Sequence, residues 1–474
     1  MNLNNESVVR RVRDGQRGQS LVMLPILLVF LLAAAALVVD MGGLYYSYQD
    51  LQDATQAAAL AGAQALPNST ATTIATNYSA VTGGLNARPN LLNVTMVSGY
   101  PLLECLTSTG VPCSAPANAN AIVVKEQATV RTYFAKVFGV SSLTITSTAT
   151  ASAPGPGGAN GPFNVMIVVD TTYSMTNMDT DSNCSTTRIN CALAGVQTLL
   201  GTLWPCASKL TSCGTVTNGN VPNPIDEVGL MVFPGLTSAS QVQDDTNCSG
   251  TAPAIALYDQ TSPGPPVYQI VSSSSDFRTS DTATALSATS NIVKAVGGAS
   301  GCNPLTVVGG VGTYYADVIT AAQTALITTY NQRLAGGVSS QNVLILLSDG
   351  NAGAAATVNG QQNLPPGEVN NQCHEAITAA QAAANATPPT WVYAVAYGAE
   401  ASGCSTDTGS NAITPCQTME DIASSPSRFF SDYTAKGGTS TCIGRSQSTT
   451  SLNQIFKQIG GDLTFARLIP NGTT

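Results

Sequence analysis

The hydrophobic pattern opens with an uncharged run from Leu21 to Val39. As a helix this run spans about 28 Å, close to the thickness of a bilayer's hydrocarbon core. Arg10, Arg11, Arg13 and Arg17 precede it and almost no positive charge follows directly. That asymmetry predicts a cytoplasmic N-terminus, with the rest of the chain outside. Pro25 falls in the first turns, where a missing N–H costs least. A cleaved signal peptide is the competing reading, although its apolar region is usually shorter. The helical period then continues through Leu44, Tyr48, Leu51, Thr55, Ala58 and Ala65, and residues 54–66 are rich in Ala. Pro67 is the expected stop. One helix is therefore predicted to leave the membrane and continue as an outer stalk.

Strand patterns follow at Leu92–Val97, Ala121–Lys125 and Ser142–Thr148, with a short helix predicted over Thr132–Phe138. These make a small α+β module, read as a spacer or packing domain. The Pro- and Gly-rich stretch 154–162 is a linker on composition. Beyond it, Phe163–Asp170, Val228–Phe233, Asn342–Ser348 and Trp391–Tyr397 are apolar without alternation. Such runs mark strands buried on both faces. Helical patterns fall between and after them, at about 187–203, 282–296, 314–333, 373–386 and 449–466. The predicted fold class for this region is α/β, a doubly wound and mainly parallel sheet. Stretches 205–225, 236–280 and 350–371 read as loops. The expected organisation is a tail (1–18), a transmembrane and stalk helix (19–66), a small module (67–153), the linker (154–162) and a large domain (163–468).

Composition narrows the function. Charged residues are only 9% of the chain, far below the usual quarter, while hydrophobic residues are 43%. Surface polarity must then come from Ser, Thr, Asn, Gln and Gly, as is common in exported proteins. The net charge of −9 and the lack of a basic patch argue against nucleic acid. All twelve Cys lie after the apolar run, none forms a C-x-x-C, and the chain has one His. Disulfides in an oxidising compartment are expected, not zinc sites. The close pairs Cys105–Cys113, Cys184–Cys191 and Cys206–Cys213 are the expected bridges. No G-x-S-x-G and no phosphate-binding loop occurs. His374, beside Cys373 at a helix start, reads as a solvated surface residue. The chain is not expected to be an enzyme.

The candidate chemistry sits at strand ends. Asp170 closes the first buried run, and Thr172 and Ser174 place hydroxyls at the second and fourth following positions. Gly309-Gly310-Val311-Gly312-Thr313 is a flexible turn before an Ala-rich helix, and Leu346-Leu347-Ser348-Asp349-Gly350 ends another buried strand with a carboxylate. In a parallel sheet, loops gather at one edge, so Asp170, Thr172, Ser174, Thr313 and Asp349 would meet there. Hard oxygen donors of this kind suit Mg²⁺ or a similar cation. The plainer reading makes Asp170 a helix cap and Asp349 a turn residue. A phosphatase of the haloacid dehalogenase type would need a second carboxylate where Thr172 stands.

Two resemblances add to this. The stretch Gly18–Pro25, the run Asp40-Met41-Gly42-Gly43-Leu44-Tyr45-Tyr46 and the segment Leu51–Ala65 resemble the TadE/TadG-like N-terminus of tight-adherence (Flp) pilus systems. The run from Thr132 to Gly139 also recurs in TadG-like proteins. Prepilin-like members carry Glu five residues after the cleaved Gly, and cleavage after Gly18 would put Met23 there. A permanently anchored TadG-like protein fits better. Residues 163–467 resemble the von Willebrand factor type A domain with its metal-ion-dependent adhesion site. In that likeness Asp170, Thr172 and Ser174 match the D-x-S-x-S pattern, Thr313 the threonine loop and Asp349 the second acidic loop. The resemblance implies Mg²⁺ (or Mn²⁺/Ca²⁺) and cation-dependent adhesion to a protein or extracellular-matrix ligand offering a carboxylate. Together they imply a single-pass protein of the bacterial inner membrane, its outer domains periplasmic or extracellular, with pilus assembly components as further partners. The alternative is a structural scaffold in Flp/Tad pilus assembly without metal-dependent adhesion.

Overall fold

The computed structural model describes every residue except 1–4, 67, 107–114, 118, 154–161, 181–183, 208–209, 252–254, 259–261, 263, 310–311, 355–356, 359–360, 363–369, 401, 436–437, 446, 448–449, 465, 470 and 473. The proposed bridge Cys105–Cys113, most of the linker and two residues of the glycine turn fall outside the described residues. The chain divides into two units, one of residues 1–105, 113–153 and 466–474, the other of 106–112 and 154–465.

The first unit begins with α1 (Asn5–Gln64). From Met23 to Val39 the large apolar side chains of this helix are exposed, and nothing in the protein covers them. A helix in a soluble core would bury such residues; this one is long and apolar enough to cross a membrane. Further along, Leu51, Ala54, Ala58, Ala59 and Ala63 become buried. Small side chains let α2 (Ala71–Asn77) approach closely, and a Cβ on Gly62 would lie 2.8 Å from Ala75 Cβ and from Ile122 Cδ1. Four strands follow: β1 (Leu92–Met96), β2 (Leu102–Glu104), β3 (Ala121–Arg131) and β4 (Ser142–Ser152). The last two form a hairpin paired without a break from Ala121↔Ser152 to Arg131↔Ser142, and β1 and β2 both add to β3 in antiparallel sense.

In the second unit, β5 (Phe163–Asp170) is buried along its whole length. The elements α3 (Arg188–Thr202), β6 (Glu227–Leu236), α4 (Ala239–Asp245), β7 (Val267–Ser274) and α5 (Asn291–Ala295) follow. Next come α6 (Ala316–Ala335), β8 (Gln341–Ser348), and a small antiparallel ladder of β9 (Thr357–Val358) and β10 (Gln361–Gln362). The unit ends with α7 (Gln372–Ala384), β11 (Thr390–Tyr397), α8 (Pro415–Ile422), β12 (Phe429–Asp432) and α9 (Leu452–Thr464). Its six-stranded sheet has the order β12-β11-β8-β5-β6-β7. One core joins Ile167 and Val169 to Val196 of α3 and Phe456 of α9. A second joins Met166 and Val168 to Ile319 of α6 and Ala376 of α7. Successive strand residues point to opposite faces, so a continuously apolar strand serves both cores. The chain ends in β13 (Arg467–Ile469), which returns to the first unit and pairs with β4.

This overturns the expected fold class. A doubly wound, mainly parallel sheet of the von Willebrand A or Rossmann-like kind does not describe the chain, whose sheets are mixed. The first unit's sheet of five strands is wholly antiparallel, and the edge pair β6–β7 of the larger sheet is antiparallel too. Burial patterns reveal that a strand exists, but carry no information on its direction relative to a partner. Among the described residues, the second unit holds five disulfides, Cys184–Cys191, Cys206–Cys213, Cys248–Cys302, Cys373–Cys404 and Cys416–Cys442. The first two are bridges expected from spacing.

Helices α3 and α9 approach through glycine. A Cβ on Gly195 would stand 2.3 Å from the ring of Phe456, a fully buried side chain with no room to yield. Gly195→Ala is therefore expected to lower stability by about 1–2 kcal/mol, the overpacking outweighing the better helix propensity of Ala. A lower urea midpoint at unchanged slope is the readout; an unchanged or higher midpoint would show that α9 moves aside.

Candidate metal centre

Strands β5 and β8 are parallel neighbours, in register from Phe163↔Gln341 to Val169↔Leu347. Their carboxyl ends therefore emerge side by side, with Asp170 level with Ser348. The Ser348 hydroxyl donates to Asp170 Oδ2 at 3.1 Å. On the other oxygen, Asp170 Oδ1 accepts from the N–H and the hydroxyl of Thr172 at 2.8 and 2.6 Å. This local loop holds the Thr172 and Ser174 hydroxyls 3.0 Å apart. Ser174 and the Asp349 carboxylate line one cavity wall, and Asp349 accepts the Asn351 N–H at 3.4 Å. Gly350, with φ +81°, turns the chain away from Asp349; a Cβ there would lie 2.5 Å from the Pro415 carbonyl oxygen, so no other residue fits.

The glycine turn reaches the same edge by its backbone. The Gly309 N–H meets the Thr171 carbonyl at 3.4 Å, and Gly353 donates to the Thr313 carbonyl at 3.0 Å. Thr313 is buried on the adjoining loop. The structure thus joins Asp170, Thr172 and Ser174 by hydrogen bonds, with Asp349 near enough for its charge to act on Asp170. The Thr313 side chain is not among the groups bonded to Asp170.

The cluster borders a cavity of about 260 Å³ lined by Ser174, Asp349, Asn177, Arg188, Asn351 and Glu400, among others. Burial, and then the charge of Asp349, push the Asp170 carboxyl up to about 7. Asp349 is also raised by burial, against the pull of the Asn351 N–H, Arg188 and Ser174, while Glu400 adds to the rise. A buried carboxylate beside a half-buried one, each opposing the other's ionisation, favours positive charge between them. The donors here are oxygen throughout, the set that suits a hard divalent ion.

Several contributors escape a reading of the sequence. Arg188 is the one charged residue of α3 and opens that helix; it is buried, with its guanidinium 5.7 Å from the Tyr397 ring centroid. Glu400 follows β11 as Asp349 follows β8, and the same cue, a charge just past a buried strand, would have found it. His374 is not merely solvated: its Nδ1 lies 2.6 Å from Asp407. The groupings Asp179, Cys184, Cys191 and Cys373, Cys404, Asp407 bring sulfur near carboxylate. Their sulfurs are in disulfides, however, and offer no thiolate.

Residues 18–65 match the family described as "Putative Flp pilus-assembly TadE/G-like". The N-terminal segment is therefore similar to the anchoring part of tight-adherence pilus proteins, and with the apolar helix it supports membrane anchoring. No curated protein matches the chain. Among solved structures, two crystal structures of the pilus adhesin SpaC from Lactobacillus rhamnosus GG, one in an open conformation, align with 74% of this chain at 13% identity. The TM-scores are 0.35 and 0.36, and the match spans about a third of the adhesin, 35% and 36%. Likeness at that level supports no conclusion on fold or function.

Proposed function

We propose that the chain is a membrane-anchored, pilus-associated protein whose second unit binds a divalent cation, Mg²⁺ or else Mn²⁺ or Ca²⁺. Asp170, Thr172, Ser174 and Asp349 would hold it, with Thr313 on the adjoining loop. Through the cation the site takes a carboxylate from a protein or matrix ligand. The observation that carries this reading is the meeting of two carboxylates, the buried Asp170 and the half-buried Asp349, beside the Thr172 and Ser174 hydroxyls at the wall of a cavity. Mg²⁺ takes six oxygens, more than these side chains supply, and leaves positions to water or to an incoming ligand. Arg188 in the cavity wall favours an anion there.

Titration calorimetry of the full chain in detergent with MgCl₂ and MnCl₂ tests the reading. One binding event is expected in the wild type, with none in Asp170→Ala or Asp349→Ala. Equal null titrations for all three chains would remove cation binding. The TadE/G-like segment also suits a scaffold in pilus assembly. Adhesion that persists unchanged in EDTA would select that role.

A further inference from the structure

The turn of the β3–β4 hairpin is apolar and uncovered. Tyr133, Val137 and Phe138 are 73, 81 and 85% exposed, and Phe134, Val140 and Leu143 are exposed beside them. Soluble proteins rarely leave such a contiguous patch to water without a use for it. The patch is ordered: Ala135–Phe138 form one 3-10 turn, and the Thr132 hydroxyl donates to the Val140 carbonyl across the neck of the loop.

Its place along α1 bears on what could cover it. Asp40 is the first charged residue after the uncharged run that ends at Val39. The Asp40 carboxylate accepts the backbone N–H groups of Tyr133 at 2.8 Å, Phe134 at 3.0 Å and Ala135 at 2.6 Å. The apolar turn is thus pinned to the residue that ends the uncharged run of α1. A carboxylate that takes three N–H donors is satisfied without bulk water, as a residue at that depth must be. Tyr45 and Tyr46 are exposed on α1 shortly beyond Asp40, in the belt position aromatic residues favour at a membrane surface.

We propose that the turn 133–143 docks into the interfacial layer of the bilayer that α1 spans. Tyr133, Phe134, Val137 and Phe138 enter below the headgroups, and the exposed Lys136 meets lipid phosphate. This rests on the anchored reading of α1. Its consequence is mechanical: a second contact beside the span fixes how the first unit stands on the membrane, which a single helix leaves free to tilt.

Tryptophan substitutions in the full chain, reconstituted in phosphatidylcholine–phosphatidylglycerol vesicles with brominated acyl chains, test it. Phe138→Trp and Val137→Trp report the turn, and Phe30→Trp reports the span. Leu102→Trp is the distant control. Leu102 pairs with Val123, eight positions along β3 from Arg131 and so about 27 Å from the turn. Emission of Trp204 and Trp391 is subtracted with the wild-type chain. Added emission from Phe138→Trp and Val137→Trp should be blue-shifted and quenched at least about twofold more than that of Leu102→Trp. If both turn variants match Leu102→Trp while Phe30→Trp is quenched, docking is refuted and anchoring stands. An unquenched Phe30→Trp would overturn the span and the docking together.

Discussion

Asp170→Asn is expected to stabilise the metal-free protein at neutral pH and to abolish its stabilisation by Mg²⁺. The Asp170 carboxyl titrates at about 7 in the folded chain, against an ordinary 3.8. The folded state thus holds this proton more tightly than the unfolded state between those values. The contribution of Asp170 to metal-free stability is then full below pH 4, falls as pH rises to about 7, and levels off above. At 1.36 kcal/mol per unit the full loss is on the order of 4 kcal/mol. Asn keeps the shape, accepts the Thr172 N–H, and cannot ionise, so its pH profile lacks this part of the slope. Mg²⁺ reverses the ranking. The ion needs the deprotonated carboxylate, so its affinity rises with pH through the same range. At a hundredfold excess over Kd, the wild type gains about 2.7 kcal/mol and the variant nothing. Urea unfolding at pH 5 and pH 8, with and without MgCl₂, reads all four values. Equal Mg²⁺ shifts in both chains, or an Asn variant that is weaker at pH 8 without metal, would sink the cation site.

What the sequence discloses follows from what it encodes locally. Strands β5, β8 and β11 are legible because both faces are buried, which leaves a continuous apolar run. The edge strand β7 mixes partly exposed and buried positions without a regular period in a loop-like stretch, and β2 and β13 are only three residues long. None of these carries a pattern strong enough to show. Asp170, Thr172 and Ser174 are legible together because their grouping is local. Arg188 and Glu400 join them only through tertiary contact. The disulfides divide in the same way. Bridges with a separation of 7 announce themselves, whereas separations of 54, 31 and 26 wait on the fold. The apolar turn at 133–143 reads as packing material, since nothing in its residues shows that the hairpin leaves it uncovered.

A second large effect is expected at the opposite end of the sheet, where Asp226→Ala should cost about 3–5 kcal/mol. Asp226 is buried directly before β6. Its Oδ1 accepts the Phe163 N–H at 3.0 Å and its Oδ2 the Trp204 N–H at 2.8 Å. One side chain thereby ties the start of β5 to the segment leaving α3. Arg333 and Arg278 supply the facing positive charge, and Arg333 also meets Glu227 at 3.5 Å and Asn164 at 3.1 Å. Alanine would leave two N–H groups without acceptors and two guanidinium groups with less countercharge in a buried site. Asp226→Asn retains an acceptor and should lose about 1–2 kcal/mol. Burial pushes the Asp226 carboxyl up to about 6, so it too makes the folded state lose stability as pH rises, from about 4 to 6. The Asn variant should lack that part of the slope. The two carboxylates are separable because only the Asp170 portion, which extends to about 7, responds to Mg²⁺. If Asp226→Ala unfolds within about 1 kcal/mol of the wild type, water or a neighbouring carbonyl satisfies these donors and the tie is not structural.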